Sequence, residues 1–97
     1  MTTKDPRSVA LALEGLAGAH SLAGDPGRAA RLLGTAAATR ERAGAPHPPA
    51  EQGDVERISA RVRATIDEDA YAREFALGTL RGHETQATAE SARPATR

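Results

Sequence analysis

The amino-acid sequence predicts an all-α fold of four helices, from its composition, its hydrophobic spacing and the positions of its glycines and prolines. The chain of 97 residues is rich in alanine, which loses the least side-chain entropy in a helix, and has only one Tyr, one Phe and no Trp. The β-branched and aromatic residues that favour strands are scarce. A chain of this length forms one domain. We place the domain at residues 7–82, with flexible termini at 1–6 and 83–97.

The first helix is predicted over about residues 7–23, and its apolar residues fall on two faces. The first face is expected to pack against the rest of the protein. It carries Val9, Leu13, Leu16 and His20 at helical spacing. The second face carries Leu11, Gly15, Gly18 and Leu22. Because a helix that is apolar on two sides is normally covered on two sides, this second row is the predicted interaction surface.

A complete hinge between two antiparallel helices is predicted at Gly24-Asp25-Pro26. Glycine suits the left-handed conformation that ends a helix, aspartate is a good N-cap, and proline is favoured at the first helical position. The second helix is expected to span about 26–43 and to end at Gly44. The residues expected to face the first helix are Ala29, Leu32, Leu33 and Ala36.

Two further helices are predicted after a proline-rich spacer at residues 45–49, which cannot be helical. The third should span about 50–66, and its apolar residues are Val55, Ile58, Val62 and Ile66. The fourth should span about 67–81, capped by Asp67 and closed by Gly82. The boundary between them is so short that one kinked helix is the alternative. From residue 83 the chain has no large apolar residue, so a disordered tail is expected.

Small and large residues follow one another across the hinge in the manner of a tetratricopeptide repeat, which places them at set points on two antiparallel helices. The first-helix positions are filled by Leu13, Leu16, Ala17 and His20. The second-helix positions, small, large and small in turn, are filled by Ala29, Leu33 and Ala36. The chain is therefore expected to form a tetratricopeptide-like array, with one repeat pair followed by a capping helix pair.

Two segments resemble the C-terminal helical tail of a group of large bacterial regulators. They are Gly24-Asp25-Pro26-Gly27-Arg28-Ala29-Ala30-Arg31-Leu32-Leu33-Gly34 and Arg40-Glu41-Arg42-Ala43-Gly44-Ala45-Pro46. The group comprises the LuxR-type and adenylate/guanylate-cyclase-related ATP-dependent transcriptional regulators of actinobacterial type. Its tail is also similar to this chain from Asp67 to Gly78, so the resemblance covers about Leu11 to Gly82.

The resemblance implies a regulatory role for the chain. In these regulators the nucleotide-binding and DNA-binding residues lie in other domains, and this chain has no Gly-rich loop ending in Gly-Lys-Ser/Thr. What the resemblance implies is a repeat-array end that binds or senses something and so regulates distant domains.

Composition and charge argue against several other classes of protein. The 13 Lys and Arg residues balance 13 Asp and Glu residues, which disfavours nucleic acid as a partner because a nucleic-acid surface is net basic. The chain has no cysteine for a disulfide or a thiolate metal site. It also has no apolar run of the roughly 20 residues that a membrane span needs. The N-terminus lacks a signal-peptide pattern, so a cytoplasmic location is expected.

The three histidines fit no common metal-binding spacing. His20 lies on the first apolar face and is expected to be a packed core residue, whereas His47 lies in the spacer and His83 in the tail. No nucleophile–base pair stands out in the sequence. We therefore expect a protein that is not an enzyme, with no catalytic residues, no metal and no cofactor.

Two functions compete for the remaining surface. In the first, the row of Leu11, Gly15, Gly18 and Leu22 contacts the preceding repeats of a parent chain, a regulatory partner or a second copy of this chain. The competing structural reading is that the third or fourth helix folds back over these leucines. The alternative function is a small helical nucleic-acid-binding domain that uses arginines of the second and third helices, chiefly Arg57, Arg61 and Arg63. Interleaved acidic residues favour a self-paired surface there, so protein interaction is preferred.

Overall fold

The computed structural model describes the backbone of residues 5–92, and the side chains of that range apart from Ala50 and residues 83–92. This part of the chain is helical without strands, which confirms the predicted fold class. Its helices are α1 (Pro6–Leu22), α2 (Pro26–Ala43), α3 (Pro49–Thr65) and α4 (Glu68–Ala92). The predicted flexible termini lie outside the described residues at positions 1–4 and 93–97.

The helix boundaries follow the predicted local signals. Gly24 and Gly44 have φ angles of 88° and 62°, the left-handed conformation expected at a helix end. The Asp25 carboxylate accepts a hydrogen bond of 3.2 Å from the backbone N–H three residues later, as an N-cap does. Asp67 makes the equivalent bond at 2.7 Å to the backbone N–H of Ala70. The predicted hinge and the predicted cap of α4 are therefore both confirmed.

The end of α4 differs from the prediction. α3 and α4 are separate helices, because Ile66 between them has extended backbone with φ −126° and ψ 160°. α4 then continues past its expected end at about Arg81 and runs through Gly82 to Ala92. Gly82 instead faces α2, where an added Cβ would lie 2.9 Å from the Cβ of Ala38. Its missing side chain permits close helix packing and does not mark a helix end.

α2 is the central helix. α1 and α4 pack on either side of it, whereas α3 contacts the other helices less extensively. α3 and α4 contact each other least, so the predicted capping helices do not form a second hairpin and α4 packs along α2. The hydrophobic core consists of Ala17, Ala29, Ala30, Leu33, Val62 and Tyr71.

Two glycines bring α2 and α4 into backbone contact. A Cβ added at Gly34 would overlap the carbonyl oxygen of Phe75, and one added at Gly78 would overlap that of Arg31. Across the same contact, Thr35 Oγ1 donates a hydrogen bond of 2.9 Å to the carbonyl oxygen of Gly78. Gly27 lies beside Glu74 and, further along both helices, Gly82 lies beside Ala38, so α2 and α4 run parallel.

Two alanines and one glutamate form the buried face of α1, which corrects the prediction for this helix. The buried residues are Ala10, Glu14 and Ala17. Of the predicted core face, Leu16 is 50% exposed, and Val9, Leu13 and His20 are only half-buried. Alanines let the backbone of α1 approach α2 closely, and the leucines are thereby left at the sides of the contact. The predicted core residues of α2 agree better with the structure. Ala29, Leu33 and Ala36 are buried, and Leu32 is half-buried.

Candidate interaction site

The four residues of the predicted interaction surface line a single groove between α1 and α3. Leu11, Gly15, Gly18 and Leu22 all border this groove, whose volume is about 460 Å³. Leu11 is 49% exposed and Leu22 is 74% exposed. Neither α3 nor α4, over the residues described, folds back to cover these leucines.

The two glycines of the groove have different surroundings. A Cβ added at Gly18 would lie 3.1 Å from Ile58 Cδ1, so α3 rests against α1 at this point. Ile58 is partly buried and packs against the core. A Cβ added at Gly15 would meet no atom within 4 Å. The groove is therefore closed at Gly18, where Ile58 contacts α1, and is open at Gly15.

Two of the three arginines of the nucleic-acid alternative form the opposite wall of the groove. Arg57 makes an ion pair with Asp54 one turn earlier in α3. Arg61 Nη1 donates a hydrogen bond of 3.2 Å to Ser21 Oγ, which links α3 to α1. Both guanidinium groups thus have partners within the chain.

Arg63, the third arginine, lies on another side of α3. Its guanidinium carbon is 4.4 Å from the centroid of the Tyr71 ring, and its Nε is 3.5 Å from a carboxylate oxygen of Glu68. The structure therefore does not bring the three arginines together. Their contacts within the chain give no support to a nucleic-acid surface.

A second groove, of about 470 Å³, lies beside Arg63 at the junction of α3 and α4. Its aromatic residues belong to the protein interior. Tyr71 is 5% exposed, its hydroxyl lies 2.9 Å from Ser59 Oγ, and its ring centroid is 5.9 Å from that of Phe75. Tyr71 is part of the hydrophobic core and Phe75 packs against that core.

A buried ion pair that was not predicted lies beside the groove and joins α1 to α2. Glu14 is 4% exposed and Arg40 is 5% exposed. Arg40 Nε donates to Glu14 Oε2 at 2.8 Å, and Arg40 Nη2 donates to Glu14 Oε1 at 3.1 Å. This bidentate arrangement is the strongest that an arginine and a carboxylate adopt.

Residues from the spacer and from α3 complete this cluster. Arg40 donates to Glu51 Oε1 and to the carbonyl oxygen of Ala45, both at 3.2 Å. His47 Nε2 lies 2.6 Å from Glu14 Oε2, and it is the donor because a carboxylate only accepts. We call Glu14, Arg40, His47 and Glu51 the ion cluster. It connects α1, α2, the spacer and the start of α3.

The ion cluster holds Glu14 in its charged form. Burial raises the pKa of Glu14, but hydrogen bonds from Arg40 and His47 and the charges of both side chains lower it, and its pKa lies below the usual value. The hydrogen bond to Glu14 raises the pKa of Arg40, although burial opposes this. A carboxylate that is ionised, buried and already hydrogen-bonded on both oxygens fixes the helices and is poorly suited to accept a substrate proton.

We expect the ion cluster to make stability fall in acid. The pKa of Glu14 is lower in the folded than in the unfolded chain, so its contribution is complete above the unfolded pKa, about 4.3, and is lost as pH falls through the folded pKa. Urea unfolding between about pH 5 and pH 3, followed by circular dichroism, checks this. The unfolding free energy should fall more steeply with decreasing pH in the parent protein than in Glu14→Gln. Equal pH slopes in the two proteins would contradict the assignment.

The sequence contained one signal for this cluster. Glu14 is the only Asp, Glu, Lys or Arg residue between Arg7 and Asp25, and it shares a face with Ala10 and Ala17. A lone acid on the small-residue face of an apolar helix indicates a buried charge with a partner. Its partner on α2 could not be read from spacing, because the two residues are 26 positions apart.

The three histidines occupy separate environments. His20 is half-buried on α1, His47 belongs to the ion cluster, and the side chain of His83 lies outside the described residues. Among the side chains that the structure describes, no three His, Asp or Glu residues are grouped so as to hold a metal ion.

Over the residues described, none of the helices combines the length and the apolar character that crossing a membrane requires. Comparisons with protein-family models, with curated proteins and with solved structures found no match to this chain.

Proposed function

We propose that this chain is a non-catalytic protein-interaction module whose contact surface is the groove between α1 and α3. The observation that carries the proposal is the exposure of Leu11 and Leu22, at 49% and 74%, on the rim of that groove. Fully burying a leucine side chain contributes roughly 1.5–3 kcal/mol. Two exposed leucines on one rim therefore offer a partner a substantial gain in binding free energy.

The surroundings of the groove support a docking role rather than catalysis. The ion cluster beside it ties α1, α2 and α3 together, so the two walls of the groove are held at a fixed separation. A surface that is already formed before binding loses less conformational entropy when the partner arrives. The groove is also open above Gly15, where a partner helix can approach the backbone of α1 closely.

The wider setting of the module is part of the same proposal. We infer that the chain is the tetratricopeptide-like tail of a cytoplasmic bacterial transcriptional regulator of the LuxR-type or cyclase-related group. Its support is the resemblance of the segments around Gly24 and Gly44, together with the buried small, large and small residues Ala29, Leu33 and Ala36 on α2. In this setting a partner protein binds the exposed side of α1, and its binding regulates distant domains of the parent regulator.

Photo-crosslinking tests whether the groove contacts protein. A benzophenone amino acid replaces Leu22 in the full chain, expressed in cells that carry its gene naturally. We expect a discrete crosslinked band after irradiation, because a partner bound in the groove would lie against this position. Mass spectrometry of the band then distinguishes another protein from a second copy of the chain.

The matched control is the same replacement at Leu80. This leucine is 58% exposed but lies on α4, away from the groove. No discrete band is expected from it. Equal crosslinking from both positions, or none from Leu22, would count against the groove as the contact surface.

A further inference from the structure

The exposed side of α1 carries no charge from Ser8 to Leu22. We call this side the outer face of α1; its residues, all exposed, are Ser8, Leu11, Ala12, Gly15, Ala19 and Leu22. The only Asp, Glu, Lys or Arg residue between Arg7 and Asp25 is Glu14, which is buried. In a chain with 27% charged residues, a charge-free exposed helix face indicates a surface that is covered in the functional state.

Residue sizes on the outer face are complementary about Gly15. If two such faces pack antiparallel with Gly15 at the crossing point, Leu11 of each copy lies opposite Ala19 of the other. In the same arrangement Leu22 of each copy lies opposite Ser8 of the other. Every large side chain then meets a small one, which is the condition for close packing of two helices. A two-fold axis generates both sets of contacts from one surface.

The charges at the two ends of the outer face favour the same arrangement. The side chain of Arg7, 71% exposed and paired with Asp5, lies at the start of α1, and that of Asp25, 51% exposed and paired with Arg28, follows its end. Antiparallel packing places Arg7 of one copy near the C-terminal carbonyl groups of the other α1, which attract a cation. Parallel packing would instead bring the two Arg7 side chains together.

We propose that the outer face of α1 binds the outer face of a second copy of this chain, antiparallel and with Gly15 at the crossing. The proposal rests on the proposed function and names the partner at the same surface. Backbones can approach at Gly15, since an added Cβ there would meet no atom within 4 Å. The groove beside α3 then receives the edge of the second copy, and Leu11 and Leu22 become buried.

Sedimentation equilibrium of the purified full chain measures the association. We expect the average molar mass to rise from that of one chain to that of two chains as the protein concentration increases. Leu22→Glu should raise the dissociation constant at least about tenfold, because it buries an unpaired carboxylate in the interface. Leu80→Glu, at a position that is 58% exposed on α4, should leave the constant unchanged. A single-chain mass at every concentration would overturn the proposal.

Disulfide trapping tests the direction of packing, and the chain has no native cysteine to interfere. Gly15→Cys should form a linked dimer under mild oxidation, because equivalent positions meet on the axis. Leu22→Cys alone should stay unlinked, whereas a mixture of Ser8→Cys and Leu22→Cys chains should link. Self-linking of Leu22→Cys would overturn the antiparallel arrangement. A monomeric chain whose position 22 still crosslinks to another protein in cells would overturn this inference and leave the proposed function standing.

Discussion

Glu14→Ala is expected to leave much of the protein unfolded at neutral pH. The substitution removes the carboxylate that accepts two hydrogen bonds from Arg40, and the guanidinium remains 5% exposed without its main partner. Removing one member of a buried ion pair costs about 3–5 kcal/mol. The core of a chain this short supplies only about 3–5 kcal/mol in total. Urea unfolding followed by far-ultraviolet circular dichroism measures the loss.

Two further variants separate the loss of the pair from a general effect of removing charge. Asp54→Ala breaks the exposed ion pair with Arg57 and should change the unfolding free energy by no more than about 1 kcal/mol. The double variant Glu14→Leu with Arg40→Met replaces both buried charges by apolar groups and should regain most of the lost stability. A Glu14→Ala protein within about 1 kcal/mol of the parent would show that the ion cluster does not hold the helices together.

The helix boundaries could be predicted because their causes are local. The left-handed glycines at 24 and 44 and the capping aspartates at 25 and 67 each act on residues within one turn. The groups that interact at each boundary are therefore close together in the sequence. This is why the hinge between α1 and α2 and the start of α4 are where the sequence places them.

The orientation of α1 was harder to predict because it depends on a distant helix. The largest apolar residues suggested a core face that includes Leu16, yet the face that meets α2 consists of Ala10, Glu14 and Ala17. Close contact selects small side chains, and Glu14 is drawn inside by Arg40 from another helix. The sizes of the hydrophobic residues on α1 indicate neither the close contact with α2 nor the pairing of Glu14 with Arg40.

The residues of the predicted interaction surface line one groove for a related reason. Leu11 and Leu22 lie on the side of α1 that does not pack against α2, and α3 reaches α1 at Gly18 and Ser21 without covering either leucine. The sequence could indicate a second apolar side, but only the packing of α3 decides whether that side is covered. Gly82 illustrates the reverse case, since a local rule interprets it as a helix end and the contact with α2 makes it part of an interface.

Gly78→Ala is expected to destabilise the protein although alanine is the better helix former. A Cβ at Gly78 would overlap the carbonyl oxygen of Arg31 and lie 3.0 Å from the backbone nitrogen of Thr35. Both atoms belong to the backbone of α2, so relief requires the helices to separate. Overpacking of this kind costs about 1–3 kcal/mol or more, which exceeds the gain of about 1 kcal/mol from helix propensity.

Gly53→Ala supplies the matched control, because it makes the same chemical change inside a helix without a backbone clash. The nearest atom to a Cβ at Gly53 is the terminal Nη1 of Arg57, at an ordinary 3.7 Å. This variant should gain about 0.5–1 kcal/mol from helix propensity. The two substitutions therefore have opposite expected signs in one urea-unfolding experiment. Stabilisation by Gly78→Ala would mean that α2 and α4 are further apart in solution than their glycine contacts require.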